Sequence, residues 1–301
     1  MPASERGAMN SAPDAALDAF VAHRNLLFTV VYEMLGSAAD AEDVLQETWL
    51  RWSGVDQDIV ENQRAYLVRI ATRLALTRIR ALDRRKELYV GPWLPEPLLT
   101  SPDVADDVEL AESVSTAMLL VLETLTPAER AVFVLREVFD VDYDEIAHAV
   151  DKSPAAVRQI AHRAREHVAA RRPRVAVSAA ETRAVLDAFQ RAVSGGDVQG
   201  LFDILAPDVV LLGDGGGVVQ ASLVPIEGAD AVVTLLTRIG GAATSVRAVE
   251  VNGRPALVLR SGDGLEGVLT VRIENGRIAG LYTVRNPEKL SHMQRETALR
   301  R

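Results

Sequence analysis

The 301-residue sequence contains no cysteine. That excludes a disulfide framework and any thiolate metal site, and it fits a reducing compartment. No stretch approaches the roughly 20 apolar residues that a bilayer span requires. The opening residues, MPASERGAMNSAPDAA, lack the basic-then-apolar order of a secretory signal. They read as a disordered tail over residues 1–13, and the chain is expected to be cytoplasmic with no membrane partner. No glycine-rich turn ends in the GK[ST] of a phosphate loop, so nucleotide binding is unsupported. No cofactor or metal is expected.

Net charge is −9, which argues against nucleic acid until its distribution is read. Residues 62–87 carry 8 Arg/Lys against 2 Asp/Glu, and residues 152–172 carry 6 against 1, so two basic segments sit in an acidic framework. From Arg174 onward the count is 14 against 14, which marks a neutral region of different character.

Residues 14–87 are helical by pattern: Leu17, Phe20, Val21, Leu27, Phe28, Val31 and Leu35 recur at helical spacing. Gly36 ends that helix and Ser37 can cap the next. In DAEDVLQETWLRW, Val44, Leu45, Thr48, Trp49 and Trp52 form one stripe, with Asp40, Glu42, Asp43 and Glu47 on the other face. After a loop, the helix NQRAYLVRIATRLALTRIRALDRRKE buries Leu67, Ile70, Ala71 and Leu74. Arg69, Arg73, Arg80 and Arg84 fall within roughly 60° of its arc, a ridge spaced to follow phosphates. A solvated charged face is the plainer account, but few acids alternate with these arginines.

Residues 88–111 read as a linker holding PWLPEPL, whose prolines exclude helix interior and central strand. Thr126-Pro127-Ala128-Glu129 and Asp142-Tyr143-Asp144-Glu145 are expected capping boxes. Then a short helix, the turn DKS and the basic helix PAAVRQIAHRAREHVAARR spell helix-turn-helix. Ser153 is the expected N-cap, and Asp151 takes the turn position that needs positive φ. Val157, Ile160, Ala161, Ala164 and Val168 face inward. Arg158, Gln159, His162, Arg163 and Arg165 face outward, and Arg and Gln there can bond guanine and adenine edges.

From Ser178 an amphipathic helix (Val185, Leu186, Phe189, Val193) ends at Gly195-Gly196. A short helix follows, then strands VVLL and VVQASLV around the turn GDGGG, another helix, and four more strands. Asn252-Gly253 and Asn275-Gly276 are hairpin turns. Helices followed by an antiparallel meander predict an α+β domain.

In that order, residues 14–172 resemble the extracytoplasmic-function class of bacterial sigma factors. DAEDVLQETWLRW resembles the region 2 helix that docks on RNA polymerase, and AYLVRIATRLALTRIRALDRRKE the helix that works on the −10 element. LTPAERAVFVLREVFDVDYDEIAHAVDKSPAAVRQIAHRARE resembles region 4, which reads the −35 element. The remainder resembles a SnoaL-like cone, which one sigma subgroup carries at its C-terminus. Three short sequences mark that subgroup, and here they are Trp93–Pro97 (WLPEP), Asp214–Gly217 (DGGG) and Asn286–Leu290 (NPEKL, for the usual NPDKL). Val218 stands where a lysine is common.

The resemblance implies a multidomain chain: a region 2 helical bundle (14–87), the WLPEP linker (88–111), an all-α region 4 (112–173), an α+β SnoaL-like domain (178–290) and a tail (291–301). It implies core RNA polymerase and promoter DNA as partners. Asp43, Gln46, Glu47 and Trp49 would bind polymerase. Asn62, Arg69, Arg73, Arg80 and Arg84 would serve the −10 side, and Lys152, Ser153, Arg158, Gln159, His162, Arg163 and Arg165 the −35 side. In such proteins the cone stands in for a separate anti-sigma factor. WLPEP (Trp93, Leu94, Pro95, Glu96, Pro97) would be a stiff plug anchored by Trp93 and Leu94, held near Asp214, Gly215, Gly216, Gly217 and Asn286, Pro287, Glu288, Lys289, Leu290. A restricted peptide loses less entropy on docking.

Two other readings compete. A ligand-gated helix-turn-helix regulator would bind DNA without polymerase, but it leaves the first 87 residues unexplained. A SnoaL-like enzyme would need an acid/base pair, yet the cone has no histidine before His292 and Asp214 sits in a turn where its plain role is local. The chain is expected not to be an enzyme. A small ligand in the cone stays open, because fold alone does not decide it.

Overall fold

The computed structural model describes residues 11–56, 59–101, 104, 107–171, 177–239, 245–262 and 264–300. The tail expected over residues 1–13 lies mostly outside them, and the chain is helical from Ser11. Arg172 and Pro173, at the end of the expected region 4, also lie outside. The chain divides into two compact units, one of Met1–Asp83, Leu122–Ala170 and Leu299–Arg301, the other of Arg84–Val121 and Arg171–Ala298. Among the described residues no helix is long and apolar enough to cross a membrane.

In the first unit, helix Ser11–Leu35 stops at Gly36, whose φ of 66° suits glycine. Ser37 then caps helix Ala38–Trp52 by accepting from the Asp40 N–H at 3.2 Å. Val44, Leu45, Thr48 and Trp52 are buried, and Trp52 Nε1 donates to the Ala16 carbonyl at 2.8 Å. One expectation fails here. Asp40 is not on an outer acidic face but buried, where Arg78 Nε of helix Gln63–Glu87 reaches it at 2.6 Å and supplies the counter-charge. Ile70, expected in the core, is half-buried. Arg130 is buried and donates from Nε to Leu122 O (2.8 Å) and from Nη1 to Met34 O (2.9 Å).

Thr126 and Glu129 form a reciprocal capping box on helix Pro127–Phe133, with Pro127 in the first turn. The second expected box does not form. Asp142 holds the N-cap backbone conformation of helix Tyr143–Val150 without a side-chain bond, and Asp144 and Glu145 supply the first-turn negative charge instead. That helix ends at Asp151 in the left-handed region (φ 54°, ψ 55°). Ser153 then caps helix Pro154–Ala169, accepting from the Ala156 N–H at 3.3 Å.

The second unit is built on a six-stranded sheet of β1 (Leu205–Asp214), β2 (Ile226–Glu227), β3 (Ser245–Val251), β4 (Arg254–Ser261), β5 (Gly264–Glu274) and β6 (Arg277–Val284). The order is β2-β1-β6-β5-β4-β3, antiparallel throughout except for β1 beside β6. Asn252-Gly253 and Asn275-Gly276 turn the β3–β4 and β5–β6 hairpins with positive φ at all four residues. The segment VVQASLV does not form the expected strand. Val218, Leu223 and Val224 are exposed, and pairing on that edge of β1 is limited to β2.

Period-two alternation gives the sheet two apolar faces. Leu257, Leu269, Ile273 and Leu281 pack under helices Ala179–Gly195, Val198–Ile204 and Ala229–Ile239 through Leu186, Phe189, Leu201, Val232 and Leu236. Val258, Val268, Tyr282 and Val284 form the other face, covered by Leu94, Leu99, Ala117 and Leu120 together with Leu290 and Met293. Residues 88–111 are therefore not a free linker. Leu94 through Leu98 are buried, and helix Val108–Ser113 lies inside the segment. The tail beyond Leu290 is likewise engaged: a 3₁₀ helix spans Pro287–Gln294, and the Thr297 N–H donates to Leu99 O at 2.8 Å.

Asp151 tests the helix-turn-helix. Asp151→Val should lower the unfolding free energy by about 1–2 kcal/mol, the strain of a left-handed branched residue, while Asp151→Gly should not. Urea denaturation of both variants checks this.

Candidate functional sites

Helix Ala38–Trp52 exposes Asp43, Gln46 and Glu47 on one side, while Trp49 is half-buried 5.4 Å from the Phe20 ring. Asp43 pairs with Arg78 at 2.5 Å, and Glu47 with Arg51 at 2.7 Å. Hydrogen bonding to Asp40 holds the Arg78 pKa above its ordinary value. Of the arginine ridge, Arg73, Arg80 and Arg84 are exposed, and Arg69 stacks over Tyr66 at 4.5 Å. Arg73 Nη2 donates to the His148 carbonyl at 2.8 Å. Asn62 accepts from the Ala65 N–H at 3.0 Å and so starts the ridge helix.

Lys152 and Ser153, just before helix Pro154–Ala169, and Arg158, Gln159, His162, Arg163 and Arg165 on it are all exposed, and the five expected inward residues are all buried. Arg158 lies 5.6 Å from the centre of the Tyr143 ring, and Arg165 bonds Glu137 at 3.1 Å. Arg163 faces Glu129 at 3.6 Å, and that pairing joins the Thr126 bonds in holding the Glu129 carboxyl below its ordinary range.

In the second unit the three short sequences meet. Asp214 is the last residue of β1 and fully buried. Its Oδ2 accepts from the Leu94 N–H at 2.8 Å and pairs with Lys289 Nζ at 2.7 Å. The same Nζ donates to the Leu94 carbonyl at 2.6 Å and sits 3.4 Å from the Trp93 ring centroid. One ion pair thus satisfies both backbone groups of Leu94, as a neighbouring strand would. Tyr89 donates to Asp214 Oδ1 at 2.5 Å and receives a bond from Asn286 Nδ2 at 2.8 Å. Trp93 is half-buried with its Nε1 unpaired, so Leu94, fully buried, is the deeper anchor. Glu96 is buried, with His292 at 3.8 Å.

Gly216 and Gly217 take φ of 61° and 72°. A Cβ on Gly216 would lie 2.4 Å from Asn286 Nδ2, and one on Gly217 3.0 Å from Val90. The DGGG run is what lets the plug and the NPEKL segment come this close. Val218 is exposed. A cavity of about 90 Å³ lies along Glu112, Thr116, Met118, Arg254 and Thr270. It is smaller than the roughly 300–1,000 Å³ of a typical small-molecule site.

Residues 19–85 match the family profile Sigma-70 region 2, and residues 115–168 match Sigma-70, region 4. The ECF RNA polymerase sigma factor SigJ of Mycobacterium tuberculosis is 33% identical over 288 residues, covering 90% of this chain and 92% of its own. The crystal structure of SigJ superposes with a TM-score of 0.74 at 31% identity, over 92% of this chain and 98% of that one. The chain belongs to the extracytoplasmic-function sigma factors. The probable ECF RNA polymerase sigma factor SigI of the same organism is also 33% identical, over 94% of this chain and 97% of its own. As a member of that family this sigma factor binds core RNA polymerase and directs promoter-specific transcription initiation, and it carries a C-terminal α+β domain.

The sequence reading of this sigma factor overlooked Tyr89 and Asn252. Tyr89 lies just outside WLPEP in a stretch without periodicity, and Asn252 was read only as a turn residue. Burial and the hydrogen bond to Asp214 raise the Tyr89 pKa above its ordinary value near 10. Folding therefore favours the protonated hydroxyl. Its contribution is complete below about pH 10 and fades as pH rises toward the folded-state value. Tyr89→Phe should flatten the alkaline decline of Tm, measured across pH 9–11.

Proposed function

We propose that the SnoaL-like domain is a built-in brake that acts by holding the WLPEP segment. The observation that carries this reading is the grip of Asp214 and Lys289 on both backbone groups of Leu94. The gripped segment lies within residues 86–114, which connect the region 2 and region 4 matches. The −10 and −35 elements are about 25 base pairs apart, or ~85 Å at 3.4 Å per pair. Residues 86–114 span at most about 100 Å when fully extended. Holding part of that length on the cone shortens the reach between the two DNA-reading regions.

Asp43, Gln46, Glu47 and Trp49 serve as the polymerase contact. Arg69, Arg73, Arg80 and Arg84 follow phosphates near the −10 element, and Asn62 borders the loop that captures a flipped base, an extrusion costing a few kcal/mol. Arg158, Gln159, His162 and Arg163 read the −35 element, with Lys152, Ser153 and Arg165 on phosphate. The exposure of all seven on one helix-turn-helix supports that role. The cone acts as a regulatory module and not an enzyme. The chain's own segment fills the second apolar face of its sheet. A separate anti-sigma factor is not required, and any small ligand acts by competing with the plug. The function places the chain in the cytoplasm.

Gln159→Ala should cost about 1–3 kcal/mol at one base pair of the −35 element and change the preferred base, whereas Arg80→Ala should weaken all sequences alike and reduce the salt slope by about 1. Binding titrations of the polymerase complex across salt and promoter variants measure both. Run-off transcription with core polymerase on the promoter of its own gene tests the brake. Lys289→Ala and Trp93→Ala should give more transcript than the unaltered chain. Equal yields from all three would sink the proposal, and lower yields would make the cone a support for the active arrangement.

A further inference from the structure

A second clasp holds the linker and shares no residue with the first. Asn252, at the tip of the β3–β4 hairpin, is 1% exposed and takes φ of 53°. Its backbone N–H donates to Leu98 O at 2.9 Å, and its Oδ1 accepts from the Leu98 N–H at 2.8 Å. Its Nδ2 donates to Val114 O, also at 2.8 Å. Only this amide orientation satisfies both partners, since an N–H must donate and a carbonyl accept. Next to it, Gly253 N–H donates to Thr100 Oγ1 at 3.0 Å, and a Cβ on Gly253 would lie 2.8 Å from Ala111 Cα. The hairpin tip is thus pressed against helix Val108–Ser113 and bonded to both sides of it. Val114 directly precedes the region 4 match, which begins at residue 115.

We infer that Asn252 is the positioning residue that couples the held plug to the start of region 4. Leu98 and Val114 lie sixteen positions apart in the chain and are joined by one side chain. Freeing Leu98 removes a bond that fixes the Asn252 amide, and the restraint on Val114 loosens with it. The signal passes along hydrogen bonds on the cone and requires no change at Asp214 or Lys289. The inference rests on the reading of the cone as a brake, and the test separates the two.

Two variants of the full chain divide the clasp. Asn252→Gly keeps the positive φ and removes both side-chain bonds. Asn252→Asp keeps an acceptor for Leu98 and loses the donor to Val114. Hydrogen exchange should rise about ten-fold at the Leu98 amide and across residues 114–122 in Asn252→Gly, with the Leu94 amide unchanged. In Asn252→Asp only residues 114–122 should loosen. Run-off yield from Asn252→Gly should move in the same direction as that from Lys289→Ala. Unchanged exchange across 114–122 in both variants overturns the inference. So does a wild-type yield from Asn252→Gly beside an altered yield from Lys289→Ala, a result that leaves the brake standing. Unaltered yields from both variants would bring down the brake and the coupling together.

Discussion

A buried charge must find its opposite or leave the interior, and that constraint organises the second unit of this protein. Asp214 ends a central strand with no solvent around its carboxylate. Lys289 neutralises it from the first turn of the 3₁₀ helix, and the pair then needs further hydrogen-bond partners to offset desolvation. The Leu94 backbone, the Tyr89 hydroxyl and the Trp93 ring supply them. Removing one member of such a pair leaves a lone buried charge, which costs about 3–5 kcal/mol. The glycines after Asp214 follow from the same demand, because side chains at 216 and 217 would keep Asn286 and Val90 away.

The first unit depends on helix ends more than on charge. Gly36 with Ser37, Thr126 with Pro127, and Asp151 with Ser153 each end or begin a helix within a few residues. These joints present the basic face of helix Pro154–Ala169 to solvent while its five apolar residues are buried. The arginine ridge obeys the same logic, with the core side of Gln63–Glu87 taken by Leu67, Ala71 and Leu74.

Much of this was legible in the residues. Helix caps and hairpin turns are local, and Ser153, Asp151, Asn252-Gly253 and Asn275-Gly276 adopt the conformations their chemistry requires. The family resemblance implied that WLPEP, DGGG and NPEKL lie close together, but not the bonds that join them. Tyr89 meets Asp214 across 125 positions and Asn252 meets Val114 across 138. No periodicity reports a pairing of that kind. The segment 218–224 misled for a different reason: its β-branched residues fit a strand, yet β1 already had β6 on one side and β2 on the other. Asp40 misled because an acid in a first helical turn has two good uses, and only the position of Arg78 chooses between them.

The indole N–H of Trp93 is buried without a partner. An unsatisfied donor of that kind works against the docked state, since water would bond it on release. The plug is therefore held by strong bonds at Leu94 and opposed by a weak point one residue away. Because plug and cone belong to one chain, the proposed release would be a ratio of two conformers with no concentration in it. A free inhibitor protein must be made in step with its target, and its effect drifts with their ratio. Under the proposed brake the set point would be written into the side chains, the same in every copy of the protein and unaffected by how many copies the cell holds.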